Sequence, residues 1–148
     1  MKKFLISSSI MIIYSTLTIS ANVNILTQKD LHQITKCKVI NDNYNSLGIK
    51  SCKTPIKFIR EKPLIKVKGK ISGYHNDKKY NYSIIWIKTA NGYNVGCLGN
   101  YNDKKFDNFY LDDDNIIMTG SFHHIEQHKN EEKNRLVLKR DCKLKHSK

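Results

Sequence analysis

The chain has 148 residues, of which 39% are hydrophobic, and its 26 basic residues outnumber 13 acidic ones for a formal charge of +13. This length suits one domain with a modest core. Only the first residues form an apolar stretch near membrane length, so no membrane-spanning helix is expected in the rest of the chain.

Met1–Ala21 reads as a cleavable export signal. Lys2 and Lys3 supply its basic start, Phe4–Leu17 its apolar run, and Ile19-Ser20-Ala21 a cleavage site before Asn22. The run falls short of the ~20 apolar residues that span a bilayer. A periplasmic or secreted location is therefore expected, with no transmembrane segment in the mature chain. Losing Lys2 and Lys3 takes the charge from +13 to +11. A strongly basic exported domain points to polyanionic partners. The basic residues are nearly all lysine, with only Arg60, Arg135 and Arg140 as arginine, and an AT-rich genome yields the same bias. Charge alone does not separate the two readings.

Four cysteines follow the signal, Cys37, Cys52, Cys97 and Cys142. In a small exported protein an even count predicts two disulfides, and the count alone leaves all three pairings open. Without C-x2-C spacing, a structural zinc site is not expected.

Thr27 with Asp30 three residues on forms a capping box, and Leu26 and Leu31 sit where a hydrophobic staple forms. A short helix is predicted from Gln28 to Lys38, with Leu31, Ile34 and Cys37 on one face. Asn41–Gly48 reads as a polar loop. Pairing Cys37 with Cys52 ties that helix to the loop and contributes ~3 kcal/mol by loop entropy. Three units are thus delimited: residues 1–21 as signal, 22–54 as a stapled helical segment, and 55–148 as a β domain with a basic tail.

Beyond Pro55 the period changes to two. Pro63–Gly73 is the first predicted strand, its lysines on the solvated side and Gly69 at a bulge or bend. Tyr74–Lys79 reads as a polar loop and Tyr80–Lys88 as the second strand. Ala90-Asn91-Gly92 makes a hairpin turn, and Tyr93–Leu98 is the third strand. In the connection Asn100–Asn115, Phe106, Phe109 and Tyr110 suggest a helical turn, with Asp112–Asp114 leading out. Ile116–Ile125 is the fourth strand, Glu126–Asn134 a charged loop, Arg135–Cys142 the fifth strand, and Lys143–Lys148 a frayed tail.

Five strands with those connections predict a mainly β fold, an OB-like five-stranded Greek-key barrel with a short N-terminal helix. In that barrel the third and fifth strands lie side by side, which pairs Cys97 with Cys142 and leaves Cys37 to Cys52. The motifs Val67-Lys68-Gly69-Lys70-Ile71, Val95-Gly96-Cys97, Ile117-Met118-Thr119-Gly120-Ser121-Phe122 and Leu136-Val137-Leu138, the last leading to Cys142, carry a resemblance over residues 66–142. That segment resembles the periplasmic and lipoprotein OB domains grouped as tRNA-anticodon-binding-like. The resemblance implies binding and supplies no catalytic residues.

No catalytic constellation is present, so the chain reads as a non-enzyme without cofactor. His124, Glu126 and His128 alternate, as metal ligands on one strand face do, but at a strand end running into a polar loop they read as solvated. His123 and His124 are expected on opposite faces. OB folds bind along the second and third strands and the flanking loops. The candidate ligand residues are Tyr82, Trp86 and Tyr93, with His75, Lys78, Lys79, Lys129 and Lys133 on the loops, a pairing of aromatic and basic groups that suits single-stranded nucleic acid or an anionic glycan. The alternative is a protein-interaction component of an envelope or secretion apparatus. Tyr82, Ile84 and Trp86 share one strand face and Ile85 and Ile87 the other, so the apolar pattern does not choose which is buried.

Overall fold

In the computed structural model, residues 25–37, 43–53 and 55–148 are described. The expected signal Met1–Ala21 lies outside them, as do Lys38 of the expected helix and Asn41 and Asp42 of the expected loop. No helix among the described residues is long and apolar enough to cross a membrane.

The structure is mainly β, with short helical segments and two disulfides. Strand β1 (Ile25–Thr27) leads into a 3-10 turn over Gln28–Asp30 and helix α1 (Leu31–Ile34). The Thr27 N–H donates to the Asp30 carboxylate at 2.7 Å, the reciprocal half of the expected capping box. The helix ends sooner than its period suggested. Thr35 turns both its backbone N–H and its hydroxyl onto the Leu31 carbonyl, at 2.9 and 2.6 Å, and so closes the last turn. Strand β2 (Ile49–Ser51) and helix α2 (Ile56–Glu61) follow. Helix α2 was not anticipated. Pro55 opens it, Lys62 in the left-handed region closes it, and Phe58 packs on Phe122 with ring centroids 4.9 Å apart.

The strands expected from the second half are present with shifted bounds: β3 (Leu64–Asp77), β4 (Tyr82–Thr89), β5 (Asn94–Gly99), β6 (Ile116–His128) and β7 (Arg135–Leu138). Strand β3 continues through the expected Tyr74–Lys79 loop as far as Asp77, because Tyr74–Asp77 pair with Ile85–Tyr82. Strand β6 likewise runs through the expected loop start to His128, because β2 pairs with Glu126–His128. The residues beyond Cys142 are not a frayed tail. Lys143–His146 form β8, antiparallel to Ile116–Thr119.

Strand β3 works in two halves. Leu64–Gly69 pair with β6 and Gly69–Asp77 with β4, so Gly69 is the residue where the strand changes partner. A Cβ there would stand 2.5 Å from the Lys88 carbonyl oxygen, so only glycine fits the bend. The bulge expected at Gly69 instead falls between Ile71 and Gly73. From β4 the pairing passes antiparallel to β5, parallel to β7, antiparallel to β6, and so back to β3. The side chains inside this cycle, among them Ile65, Ile71, Ile85, Ile87, Val95, Met118 and Leu136, form one core with Leu31, Ile34 and Cys52 of the N-terminal segment and Phe58 of α2.

Both cysteine pairs are as expected, Cys37–Cys52 and Cys97–Cys142. The second joins the end of β5 to the residue before β8. Lys105 covers that end, donating to the carbonyls of Leu98 and Arg140, and burial lowers its pKa. Replacing Cys97 and Cys142 together with alanine is expected to cost ~2–5 kcal/mol. Chemical denaturation of the oxidised protein and the variant measures it, and equal midpoints would show that the bond constrains nothing.

Candidate functional site

The two faces of β4 are told apart by their neighbours. Ile85 and Ile87 belong to the core, while Tyr82, Ile84 and Trp86 face outward into a cleft of about 510 Å³. Ile84, Leu98 and Val137 make an apolar floor across β4, β5 and β7. Leu47 and Ile49, brought in by the segment that Cys52 staples, raise one wall. His75 of β3 and His124, Glu126 and His128 of β6 supply polar groups at the sides.

Trp86 lies flat because its cross-strand partner is Gly96. A Cβ on Gly96 would come within 2.6 Å of Ile84 Cδ1 and 2.8 Å of Trp86 Cζ3. The Arg135 guanidinium rests over the indole, 4.9 Å from its centre. Two carboxylates hold it there: Glu131 accepts from Arg135 Nε at 2.9 Å and from Nη2, and Glu126 stands 3.7 Å from Nη1. The hydrogen bond from Arg135 holds the Glu131 carboxyl below its usual range, against the opposing effect of burial. Tyr82 lies beside His75 with the rings tilted, centroids 5.6 Å apart. Burial first, then the carboxylates of Asp77 and Glu126, push the Tyr82 phenol above its ordinary value.

A bulge in β6 fills the cleft's histidine side. Phe122 pairs with Leu138 and His124 with Val137, leaving His123 as the extra residue. The expected opposition of His123 and His124 is therefore lost, and their rings meet with centroids 4.7 Å apart. Burial and then neighbouring His124 lower the His123 pKa. The solvated reading of Glu126 is also corrected. This residue is 8% exposed, and its carboxylate lies 3.2 Å from His124 Nε2. Among the described residues no group of three or more His, Cys, Asp or Glu side chains is placed to hold a metal ion.

Of the expected ligand residues, the structure brings His75, Tyr82 and Trp86 together in the cleft. His75 belongs to strand β3, not to a loop. Tyr93 is elsewhere: it is 7% exposed within the core, its hydroxyl 3.3 Å from His32 Nδ1. Lys78 and Lys79 occupy the turn between β3 and β4, and Lys79 lies over Tyr80. Lys129 packs against Gly48 on the β2 side. Lys133 reaches the β4–β5 turn, where it donates to the Asn91 carbonyl and lies over Tyr93. None of these four lysines lines the cleft. Sequence reading missed Arg135 and Gly96, the two residues that fix the tryptophan. The chain matches no protein-family model and no curated protein.

Trp86 is the single tryptophan of the chain, so its emission reports this geometry directly. Gly96→Ala is expected to displace the indole, shift its emission and cost ~1–3 kcal/mol through overpacking. Unchanged emission and stability would show that the ring has room to spare. Acid provides a second check. Because the Glu131 pKa is lowered in the fold, its contribution is complete above the ordinary glutamate value of 4.5 and is lost as pH falls through the lower folded value. Titration below pH 4.5 should therefore release Arg135 and change Trp86 emission, and Glu131→Gln should abolish that acid step.

Proposed function

We propose that the cycle β3–β4–β5–β7–β6 is an OB-type Greek-key barrel and that the protein is an exported, non-enzymatic binding module whose cleft docks an apolar segment of a partner protein. The order of the pairings supports the barrel, since each strand has two neighbours in the cycle and β5 and β7, its third and fifth strands in chain order, run parallel. Two disulfides are compatible with a periplasmic or secreted location, for which Met1–Ala21 would be the signal. On this reading, the likeness to tRNA-anticodon-binding-like OB domains is one of fold.

One observation carries the choice of ligand. The cleft is lined by Leu47, Ile49, Ile84, Leu98 and Val137, and Arg135, its one strong cation, is already matched by Glu126 and Glu131. A phosphate or sulfate entering there would meet the Glu126 carboxylate and a guanidinium already paired, and would lose its water without a free guanidinium in return. Apolar side chains meet no such penalty. The runner-up is a polyanion with a base or sugar stacked on Tyr82. It is favoured by the Tyr82–His75 pair and by Lys78 and Lys79 on the turn that joins their strands.

A photoreactive residue in place of Tyr82 is expected to cross-link a protein, in a reaction that Ile84→Asp abolishes and moderate salt leaves intact. Titration of Trp86 emission with a single-stranded oligonucleotide gives the contrary test. Affinity falling steeply with salt, and lost when Lys78, Lys79, Lys129 and Lys133 become Glu, would replace protein docking with polyanion binding.

A further inference from the structure

We propose that the outward face of β3, β6 and β8, which shares no residue with the cleft, is a docking surface for an anionic phospholipid bilayer. Strand register builds this face independently of the cleft. Directly opposite residues of paired strands project to the same face. Lys66 pairs with Thr119, and Thr119 on its other edge with Lys143. Lys68 pairs with Ile117, and Ile117 with Lys145. Four lysines therefore stand at the corners of a rectangle, about 7 Å along the strands and about 10 Å across two strand spacings. All four are exposed.

Their charge is unspent. Among the described residues none of the four is held in an ion pair, whereas neighbouring Lys70 pairs with Asp112 at 3.2 Å and Lys105 with Asp103 at 3.8 Å. The acids nearest in register border the rectangle without entering it. Asp30 flanks the Lys66 corner but accepts from the N–H and hydroxyl of Thr27, the residue paired with Lys66. Asp112 is taken by Lys70 at one end, and Asp141 accepts from the Ser121 hydroxyl at the other.

The arrangement decides between polyanions. Thr119 and Ile117 occupy the middle of the rectangle, so it holds no aromatic ring on which a base or sugar could stack. It has no arginine at its corners for bidentate phosphate recognition. What remains is a two-dimensional set of point charges on flexible stems. Such a set fits a fluid plane of phosphate headgroups, toward which long side chains extend while the sheet stays outside the hydrocarbon.

The test is co-sedimentation of the protein, both disulfides formed, with vesicles of phosphatidylcholine alone or mixed with phosphatidylglycerol. Binding is expected to the mixed vesicles only and to be stripped by salt. Changing Lys66, Lys68, Lys143 and Lys145 to Gln should weaken it several-hundredfold, at about fivefold per lysine. Changing Lys36, Lys53, Lys62 and Lys104 to Gln removes the same net charge elsewhere and should leave most of the binding. Equal losses in the two variants would overturn the site in favour of diffuse attraction. Equal binding to the two vesicle types, or retention on a single-stranded oligonucleotide but not on vesicles, would overturn the lipid.

Discussion

The insertion of β7 between β5 and β6 is the constraint on which the other features depend. It is short: Val95, Gly96 and Cys97 face Leu136, Val137 and Leu138 in parallel register. Without it, β5 and β6 would each present an open edge, and Val95, Ile125 and Leu136 would lose the neighbours that keep them from water. A parallel pairing between distant segments is costly to form, because the long connection must close before any contact repays it. Cys97–Cys142 compensates. Its sequence separation of 45 residues removes ~4 kcal/mol worth of chain entropy from the unfolded state by the loop model.

The same closure sets up both outer surfaces through β6. In the first half of that strand Ile117, Thr119 and Ser121 alternate outward against β3 and β8. The bulge at His123 then inserts one residue and inverts the alternation, so that His124, Glu126 and His128 point into the cleft. A strand without the bulge would turn Glu126 toward the core, where an acid has no matching cation. Instead Arg135 meets it from β7, and burial is tolerated because the charge is paired.

Much of this organisation was legible in the sequence, and the gaps have physical reasons. The strands, their hairpin and both cysteine pairs follow from the period of two and from the order of connections. The buried face of β4 was not readable from hydrophobicity, since Tyr82, Ile84 and Trp86 make one face largely apolar and Ile85 and Ile87 do the same for the other. A stronger signal lay in the hairpin register. Counting back from the turn at Asn91-Gly92 sets Cys97 opposite Ile85 and Gly96 opposite Trp86. A cysteine bonded inside the sheet then turns Ile85 inward and Trp86 outward. Strand β8 escaped because Lys143-Leu144-Lys145-His146 holds a single apolar residue, and its pairing comes from the tether at Cys142. Helix α2 escaped because Ile56–Glu61 is short and Pro55 and Pro63 flank it, a pattern that reads as an extended linker.

Composition concealed the most. A charge of +13 spread over 26 basic residues describes a surface attractive to polyanions everywhere. The fold sorts that charge. Around Trp86 the guanidinium is neutralised by two glutamates, and the lysines first expected beside the aromatics stand on turns or pack against Gly48, Tyr80 and Tyr93. On β3 and β8, by contrast, strand register gathers Lys66, Lys68, Lys143 and Lys145, none of which is in an ion pair among the described residues. Aromatic and basic groups, which together suggested a single nucleic-acid groove, are thus separated onto two faces of one strand system. If both surfaces are engaged together, β6, which runs through both, fixes the angle between a partner in the cleft and whatever plane the lysines meet. The hydrogen-bonded ladder on both edges of β6 leaves that angle little freedom to change.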